Sequence, residues 1–189
     1  MADSSLNRTN TSPSGSGYKY TFSAWIKRSK ISERQMFWRV LNPSDTTYYA
    51  YMEFQADDRL HINDGTSAGT LDIVTTAKFR DTNAWYHIMG VVDTTQGTAA
   101  DRVKIYVNGS QITDLAGTPT LTLGQNQATS GTASGKTTYV GGDPANNTRF
   151  FDGYMSHVAF VDGQALTPTS FGETDSTSGI WKFKSPSGV

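Results

Sequence analysis

The polar and apolar positions separate most cleanly between Ala84 and Thr113, where they predict three strands in series. Trp85 to Val92 is β-branched and aromatic with almost no formal charge, which suits a strand buried on at least one face. Arg102 to Asn108 alternates strictly, with Val103, Ile105 and Val107 on one side and Arg102, Lys104 and Tyr106 on the other, the pattern of a half-buried antiparallel strand. Asn108-Gly109 supplies the positive φ angles of a two-residue type I′ turn, and Ser110 to Thr113 returns as the hairpin partner.

The same periodicity runs through the chain. Tyr18 to Lys27 sets Tyr18, Tyr20, Phe22, Ala24 and Ile26 against Lys19, Thr21, Ser23, Trp25 and Lys27, so that Trp25 falls on the polar side. Met36 to Leu41 is a short apolar strand closed by turn residues 42–45. Tyr48 to Phe54 places Tyr49, Tyr51 and Glu53 opposite Ala50, Met52 and Phe54. Arg59 to Ile62 is predicted as a brief strand, Asn63-Asp64-Gly65 as a hairpin turn, and Leu71 to Thr75 and Leu121 to Leu123 as further strands. Residues 125–136, QNQATSGTASGK, read as an exposed loop. Thr138 to Val140 is followed by a loop over 143–148, and Phe150 to Val161 by its aromatic content is a core strand in which Gly153 marks a bulge or a close backbone approach. Thr167-Pro168 with Gly172 predicts a single helical turn, capped by Thr167, near the C-terminus. Short strands with Gly, Asn and Asp punctuation point to an all-β sandwich or barrel. Residues 1–17, rich in Ser, Thr, Gly and Asn, are expected as a flexible arm, with one domain over 18–189.

Composition narrows the function classes. At 189 residues the chain can bury a substantial core without staples, and the absence of cysteine excludes disulfides and thiolate metal sites. A net charge of -1, with no Lys or Arg run longer than two, gives no electrostatic footprint for nucleic acid. No apolar stretch is long enough for a spanning helix, and the N-terminus has no signal-peptide pattern, so neither membrane insertion nor ordinary secretion is expected.

The ordered motifs FSAWIKRS, RLHINDG, AWYHIMGVVD, VKIYVNG, YVGGD and FFDGYMSHVAFVDGQALTP resemble the laminin-G-like, concanavalin A-like lectin/glucanase jelly roll over residues 18 to 173. The positions that carry the resemblance are Trp85 and His87, Tyr106 to Gly109, then Phe151, Gly153, Met155, Leu166 and Pro168. It implies a two-sheet antiparallel β-sandwich. More narrowly, residues 80–109 and 160–182 resemble domains from structural proteins of marine tailed bacteriophages, found in tail fibres, appendages or capsid surfaces. That resemblance implies a virion protein assembled in the host cytoplasm, either short or the first module of a longer chain. Other virion proteins and host surface glycans would be its partners. A homo-oligomer is a further expectation, although no heptads are present to enforce one.

Retaining glucanases on this fold use carboxylates two and four apart on one strand. Here Glu33, Glu53 and Glu173 stand apart and no strand carries paired acids, so the chain is expected not to be an enzyme. His61, His87 and His157 lie within strands, where a satisfied structural histidine is the commoner case. Calcium is the cofactor the resemblance makes a candidate. Its ligands would come from Asp143, Asn146, Asn147 and Asp152, with Asp64 or the pair Asp93 and Asp101 as other sources, although Asp and Asn are also ordinary turn residues. Sugar binding needs an exposed aromatic platform beside polar groups. Tyr49, Tyr51 and Trp25 are the candidates, set against the alternative that each packs in the core. The expected mechanism is presentation of loops 64–69, 125–136 and 143–148 by a rigid scaffold, with Asp64, Asp143, Asn146 and Asn147 as their ligand-binding members. Two rival readings are a capsid decoration protein that binds the shell without sugar recognition and a glycan-degrading enzyme.

Overall fold

The computed structural model describes residues 5–11, 17–42, 45–143 and 149–186. In chain order the strands are β1 (Leu6–Thr9), β2 (Lys19–Arg28), β3 (Gln35–Asn42), β4 (Asp45–Phe54), β5 (Arg59–Thr66), β6 (Gly69–Lys78), β7 (Tyr86–Asp93), β8 (Val103–Val107), β9 (Ser110–Ile112), β10 (Thr120–Leu121), β11 (Thr137–Val140), β12 (Gly153–Asp162), β13 (Gly172–Thr174) and β14 (Trp181–Phe183). They form a seven-stranded antiparallel sheet in the order β1, β11, β3, β4, β5, β6, β10, and a five-stranded one in the order β12, β2, β7, β8, β9. A separate hairpin of β13 and β14 completes the set. The protein is thus the all-β, two-sheet sandwich its periodicity and its resemblance imply. Among the described residues no helix is long and apolar enough to cross a membrane.

The alternation decides what lies between the sheets. Tyr20, Phe22, Ala24 and Ile26 of β2 and Ile88 and Val92 of β7 face Trp38, Val40, Ala50, Met52, Phe54, Leu60 and Ile62 of the opposite sheet, all fully buried. Each large apolar side chain so buried contributes ~1.5–3 kcal/mol. Gly90, in the middle of β7, leaves no room for a side chain between the two sheets. A Cβ there would stand 2.7 Å from Met52 Sδ and 2.8 Å from Ile62 Cδ1. Gly90→Val is expected to overpack this point and cost roughly 1–3 kcal/mol, with Gly90→Ala costing less. Urea denaturation checks it, and an unshifted midpoint for the valine variant would count against the packing described.

The Asn108-Gly109 turn has the expected geometry, with φ of 48° and 83°. Pro168–Ser170 forms the short helical turn, as 3₁₀. Its Thr167 hydroxyl bonds Thr169 Oγ1 rather than a backbone N–H, so the expected cap is absent.

Several expectations are corrected. Asn63-Asp64-Gly65 is no turn: it lies inside β5, and the chain reverses after Thr66 instead. The reason is that Asp64 points inward, where its carboxylate accepts hydrogen bonds from Ser130 N (2.8 Å) and Gly131 N (3.1 Å). The same bonds pull in the middle of the 125–136 segment, where Thr129, Ser130 and Thr132 are buried rather than exposed. Ser130 Oγ donates to the Gly65 carbonyl at 2.6 Å. Strand β12 is an edge strand, half exposed, and its bulge lies between Ser156 and Ala159. Gly153 serves as the close approach, against the Lys27 carbonyl. Within the stretch expected as an arm, Leu6–Thr9 is a strand on the edge of the larger sheet, paired with β11.

The outer face of the five-stranded sheet is itself partly covered. Met89 and Val91 pack under Phe171 and Leu166, which explains why the 85–92 run is apolar on both sides.

Candidate functional site

Four neighbouring strands of the larger sheet bring one set of side chains to its outer face. The register places Tyr49 opposite Gly65, Glu53 opposite His61, and Arg39, Tyr51, Asn63 and Asp72 in a single row across β3, β4, β5 and β6. Because side chains alternate, the partners of this face, Ala50, Met52 and Ile62, are core residues. Gly65 gives the Tyr49 ring its seat, since a Cβ there would be 2.8 Å from Tyr49 Cζ. Tyr49 and Tyr51 lie 6.1 Å apart with planes 13° from parallel, forming a stacked aromatic surface, and Tyr51 meets His61 edge-on at 5.1 Å.

Beside the tyrosines runs a chain of charged contacts. Arg34 grips Glu53 with two nitrogens, each at 2.6 Å. Glu53 Oε1 is 3.0 Å from His61 Nδ1, and His61 Nε2 is 3.1 Å from Asp72 Oδ1. Asn63 Nδ2 donates to Asp72 Oδ2 at 2.5 Å. Burial works against each charge here and the contacts outweigh it. The Glu53 and Asp72 carboxyls are held below their ordinary values by His61, helped by Arg34 and Asn63 respectively, while the His61 imidazole is raised by the two carboxylates. Burial is the first cause of the upward shift of the Tyr51 hydroxyl, followed by Glu53 and Asp72, which keeps it a neutral phenol.

Two buried polar atoms in the central row have no partner among the described residues: Arg39 Nε on one side of Tyr51 and Asn63 Oδ1 on the other. One is a donor and the other an acceptor. Buried polar groups are almost always satisfied, so two such groups flanking one aromatic ring stand out.

The sequence candidates divide accordingly. Tyr49 and Tyr51 sit on this face and not in the core. Trp25 faces outward from the opposite sheet, where it stacks on His87 (5.2 Å, 24°), which in turn stacks on Trp181 (5.9 Å, 21°). Asp64 is buried between the layers, and burial raises its carboxyl to about 6 against the two backbone donors. Asp143 is also buried, in ion pairs with Arg39 and Arg149. Asn146 and Asn147 lie outside the described residues. Calcium finds no fit in the described part of its expected ligand sets. Asp93 is bonded by Thr95, Gln96 and Lys19, Asp101 pairs with Lys104, and Asp152 contributes a carbonyl to Ser29 N. Among the described residues no group of three or more His, Asp or Glu could hold a metal ion. Of the loops expected to be presented outward, 125–136 is anchored inward at its centre, and 64–66 is strand.

Sequence reasoning missed Arg34, Arg39, His61, Asn63 and Asp72 as neighbours of the tyrosines. The signal was present, because His61 and Asn63 alternate in β5 as Tyr51 and Glu53 do in β4. A turn placed at 63–65 hid it.

The fold is an antiparallel two-sheet sandwich with an aromatic and polar patch on the outer face of its larger sheet. The sequence matches the concanavalin A-like lectin/glucanases superfamily over residues 3–170, and the chain belongs to that family. No curated protein gives a significant sequence match. Among solved structures it is similar to a heptameric SAP-like pentraxin from Limulus polyphemus, at 19% identity and TM-score 0.59, covering 86% of this chain and 71% of that one. It is similar also to domains LG4-5 of the mouse laminin alpha1 chain (15%, TM-score 0.57, 87% and 40%). A third is domain 4 of an extracellular arabinanase from Geobacillus stearothermophilus, solved in complex with arabinotriose (22%, TM-score 0.53, 80% and 64%). At these identities the likeness is one of fold.

Proposed function

We propose that the domain is a non-enzymatic glycan-recognition module that binds host surface saccharides through the tyrosine face of its larger sheet, displayed on the virion of a marine tailed bacteriophage and assembled there with other virion proteins or further copies of itself. The observation that carries the site is the row in which Tyr51 is flanked by the unpartnered donor Arg39 Nε and the unpartnered acceptor Asn63 Oδ1. A sugar ring stacked on a tyrosine offers hydroxyls that both donate and accept at its rim. The virion setting rests on the resemblance of residues 80–109 and 160–182 to phage structural proteins. The arabinotriose-bound arabinanase domain supports sugar recognition on this fold.

Catalysis is disfavoured by the charges. A glycosidase needs one carboxylic acid kept protonated near neutrality, by a raised pKa. Glu53 and Asp72, the carboxyls of the tyrosine face, are both lowered and are bound to opposite sides of the His61 ring, while Asp64, whose carboxyl is raised, is fully buried between the layers, out of reach of a substrate.

The test is a glycan array with the full chain and titration of the best hit. Tyr51→Ala is expected to weaken binding by roughly ten- to a hundredfold, the size of an aromatic hot spot, with unchanged thermal unfolding. Gly65→Val, which unseats Tyr49, is expected to weaken it as well. Undiminished binding by both variants would remove this face as the site.

One observation favours the second reading, a capsid decoration protein. Strand β1 is the outermost strand of its sheet, and Leu6 on it is 77% exposed. An open edge can accept a strand from a neighbouring subunit. Stoichiometric copies on purified capsids, together with a blank glycan array, would establish that reading and end the first.

A further inference from the structure

On the outer face of the five-stranded sheet, opposite the tyrosines, a cleft of about 330 Å³ is lined by Trp25, Trp85, Ser156, His157, Trp181 and Phe183, with Lys182 at its side. Two parts of the chain build it. The sandwich supplies Trp25 from β2, Trp85 just ahead of β7, and the bulged segment of β12. The C-terminal hairpin, which lies beyond the family match, supplies Trp181 and Phe183.

Each wall is fixed by a separate device. Trp181 Nε1 donates to His87 Nδ1 at 2.9 Å, and its ring lies against Gly109 and Gly172, where a Cβ would strike it. At the bulge His157 takes a left-handed φ of 50°, which a non-glycine residue holds only under constraint. The constraint is visible: its ring stacks on Phe183 with centroids 3.6 Å apart, and Ser156 Oγ lies 2.8 Å from its Nδ1. Trp85 is 42% exposed and Phe183 36%, so large aromatic faces meet solvent here.

We infer that this cleft is a second ligand site, distinct from the tyrosine face, that takes one neutral pyranose against its indole and phenyl walls. The size lies at the small end for ligand sites, ~300–1,000 Å³. Flat aromatic faces match the C–H face of a pyranose. Hydrogen-bonding groups stand among them: the Ser156 hydroxyl, the His157 ring edge and the Trp25 indole N–H, which has no partner among the described residues. Charge selects against acidic sugars. Lys182, the permanently charged lining residue, is already engaged by Asp175 at 3.0 Å and Glu173 at 3.5 Å, so an acidic sugar would have to compete with these two carboxylates for it. Only the ligand class rests on the glycan reading of the domain; the site rests on the cleft.

The experiment titrates the full chain with methyl pyranosides of glucose, galactose, mannose and N-acetylglucosamine, and with methyl glucuronide, following tryptophan fluorescence and saturation-transfer NMR. At least one neutral pyranoside is expected to saturate in the millimolar range with a blue shift of the emission. Trp85→Ala and Phe183→Ala, both at partly exposed positions, are expected to lose roughly tenfold in affinity, while Tyr51→Ala leaves this binding unchanged. Methyl glucuronide is expected to bind more weakly than methyl glucoside. Failure of every neutral pyranoside to saturate, loss of the signal in Tyr51→Ala but not in Trp85→Ala, or equal binding of the glucuronide would each overturn the inference. Uptake of indole in place of any sugar would mark the cleft as a seat for an apolar side chain and overturn it equally. If array binding depends on Tyr51 while the cleft variants change nothing, the glycan module stands and the second site falls.

Discussion

Asp58→Ala is expected to destabilise the protein by roughly 3–5 kcal/mol, the cost of breaking a buried ion pair from one side. Asp58 and Arg28 have no exposed side-chain surface and meet at 3.0 Å. Arg28 also donates to the Phe79 carbonyl at 2.7 Å and to Gln35, and its guanidinium lies 4.3 Å from the centre of the Phe54 ring. The second Asp58 oxygen takes Arg80 Nε at 2.9 Å, and Ser32 N donates to the first at 2.7 Å. Burial disfavours the Asp58 carboxylate, but these donors outweigh it and hold it below its ordinary range. Removing the acid therefore strands a cation in the core. Asp58 also has φ of 70°, which alanine tolerates poorly. Urea denaturation gives the number, and Asp58→Asn, which keeps the left-handed preference, separates the charge from the backbone. The double variant Arg28→Met/Asp58→Asn is expected to recover much of the loss, since no buried charge is then left alone and Arg80 is exposed to water. A single-variant cost under about 1 kcal/mol would mean that water reaches the pair.

The second large effect is a cancellation. Trp181 Nε1 can only donate, so His87 Nδ1 must accept, and the ring proton sits on Nε2, 2.9 Å from Ser23 Oγ. Burial lowers His87 to about 4. The unfolded chain takes up this proton near pH 6.5 and the folded chain does not. The stability His87 contributes is therefore complete above pH 6.5 and lost as pH falls toward 4, about 3 kcal/mol in all. Asp64, raised by burial to about 6, acts in the opposite direction. Its contribution is complete below the ordinary carboxyl value and lost as pH rises through 6, again about 3 kcal/mol. Between pH 6.5 and 4 the wild-type stability is thus expected to be nearly flat with respect to these two groups. Asp64→Asn should fall by about 3 kcal/mol more than wild type across the same interval. Parallel pH profiles for the two proteins would show that one of these groups does not titrate as its surroundings demand.

Legibility in the sequence followed the physics. Strands that alternate apolar and polar side chains, β2, β4 and β8, could be read directly, because alternation is the consequence of packing one face against the opposite sheet. Where turn-forming residues serve another purpose, reading failed. Asp64 is an acceptor for a distant loop, and Gly65 is a seat for a ring, yet in sequence they spell a hairpin. Tyr49 and Tyr51 were found as candidates because they share a face with Glu53. Their polar neighbours come from three other strands, and only a correct register brings them together. The tryptophan cleft was still less legible, since Trp25 and Trp181, far apart in sequence, both stack on His87. Gly109 shows the limit of dividing scaffold from site: it makes the turn and also receives the Trp181 ring.

The strand order has a kinetic consequence. Strand β1 pairs with residues 137–140, and β2 lies between β7 and β12, so each of the first two strands waits for partners far along the chain. Loop closure over such spans slows folding, and during synthesis the five-stranded sheet cannot be completed until residue 162 has left the ribosome, nor the larger sheet until residue 140 has. Until then the apolar face of β2 has no completed layer to cover it, and chaperone dependence or slow refolding in dilute buffer is the behaviour this order favours.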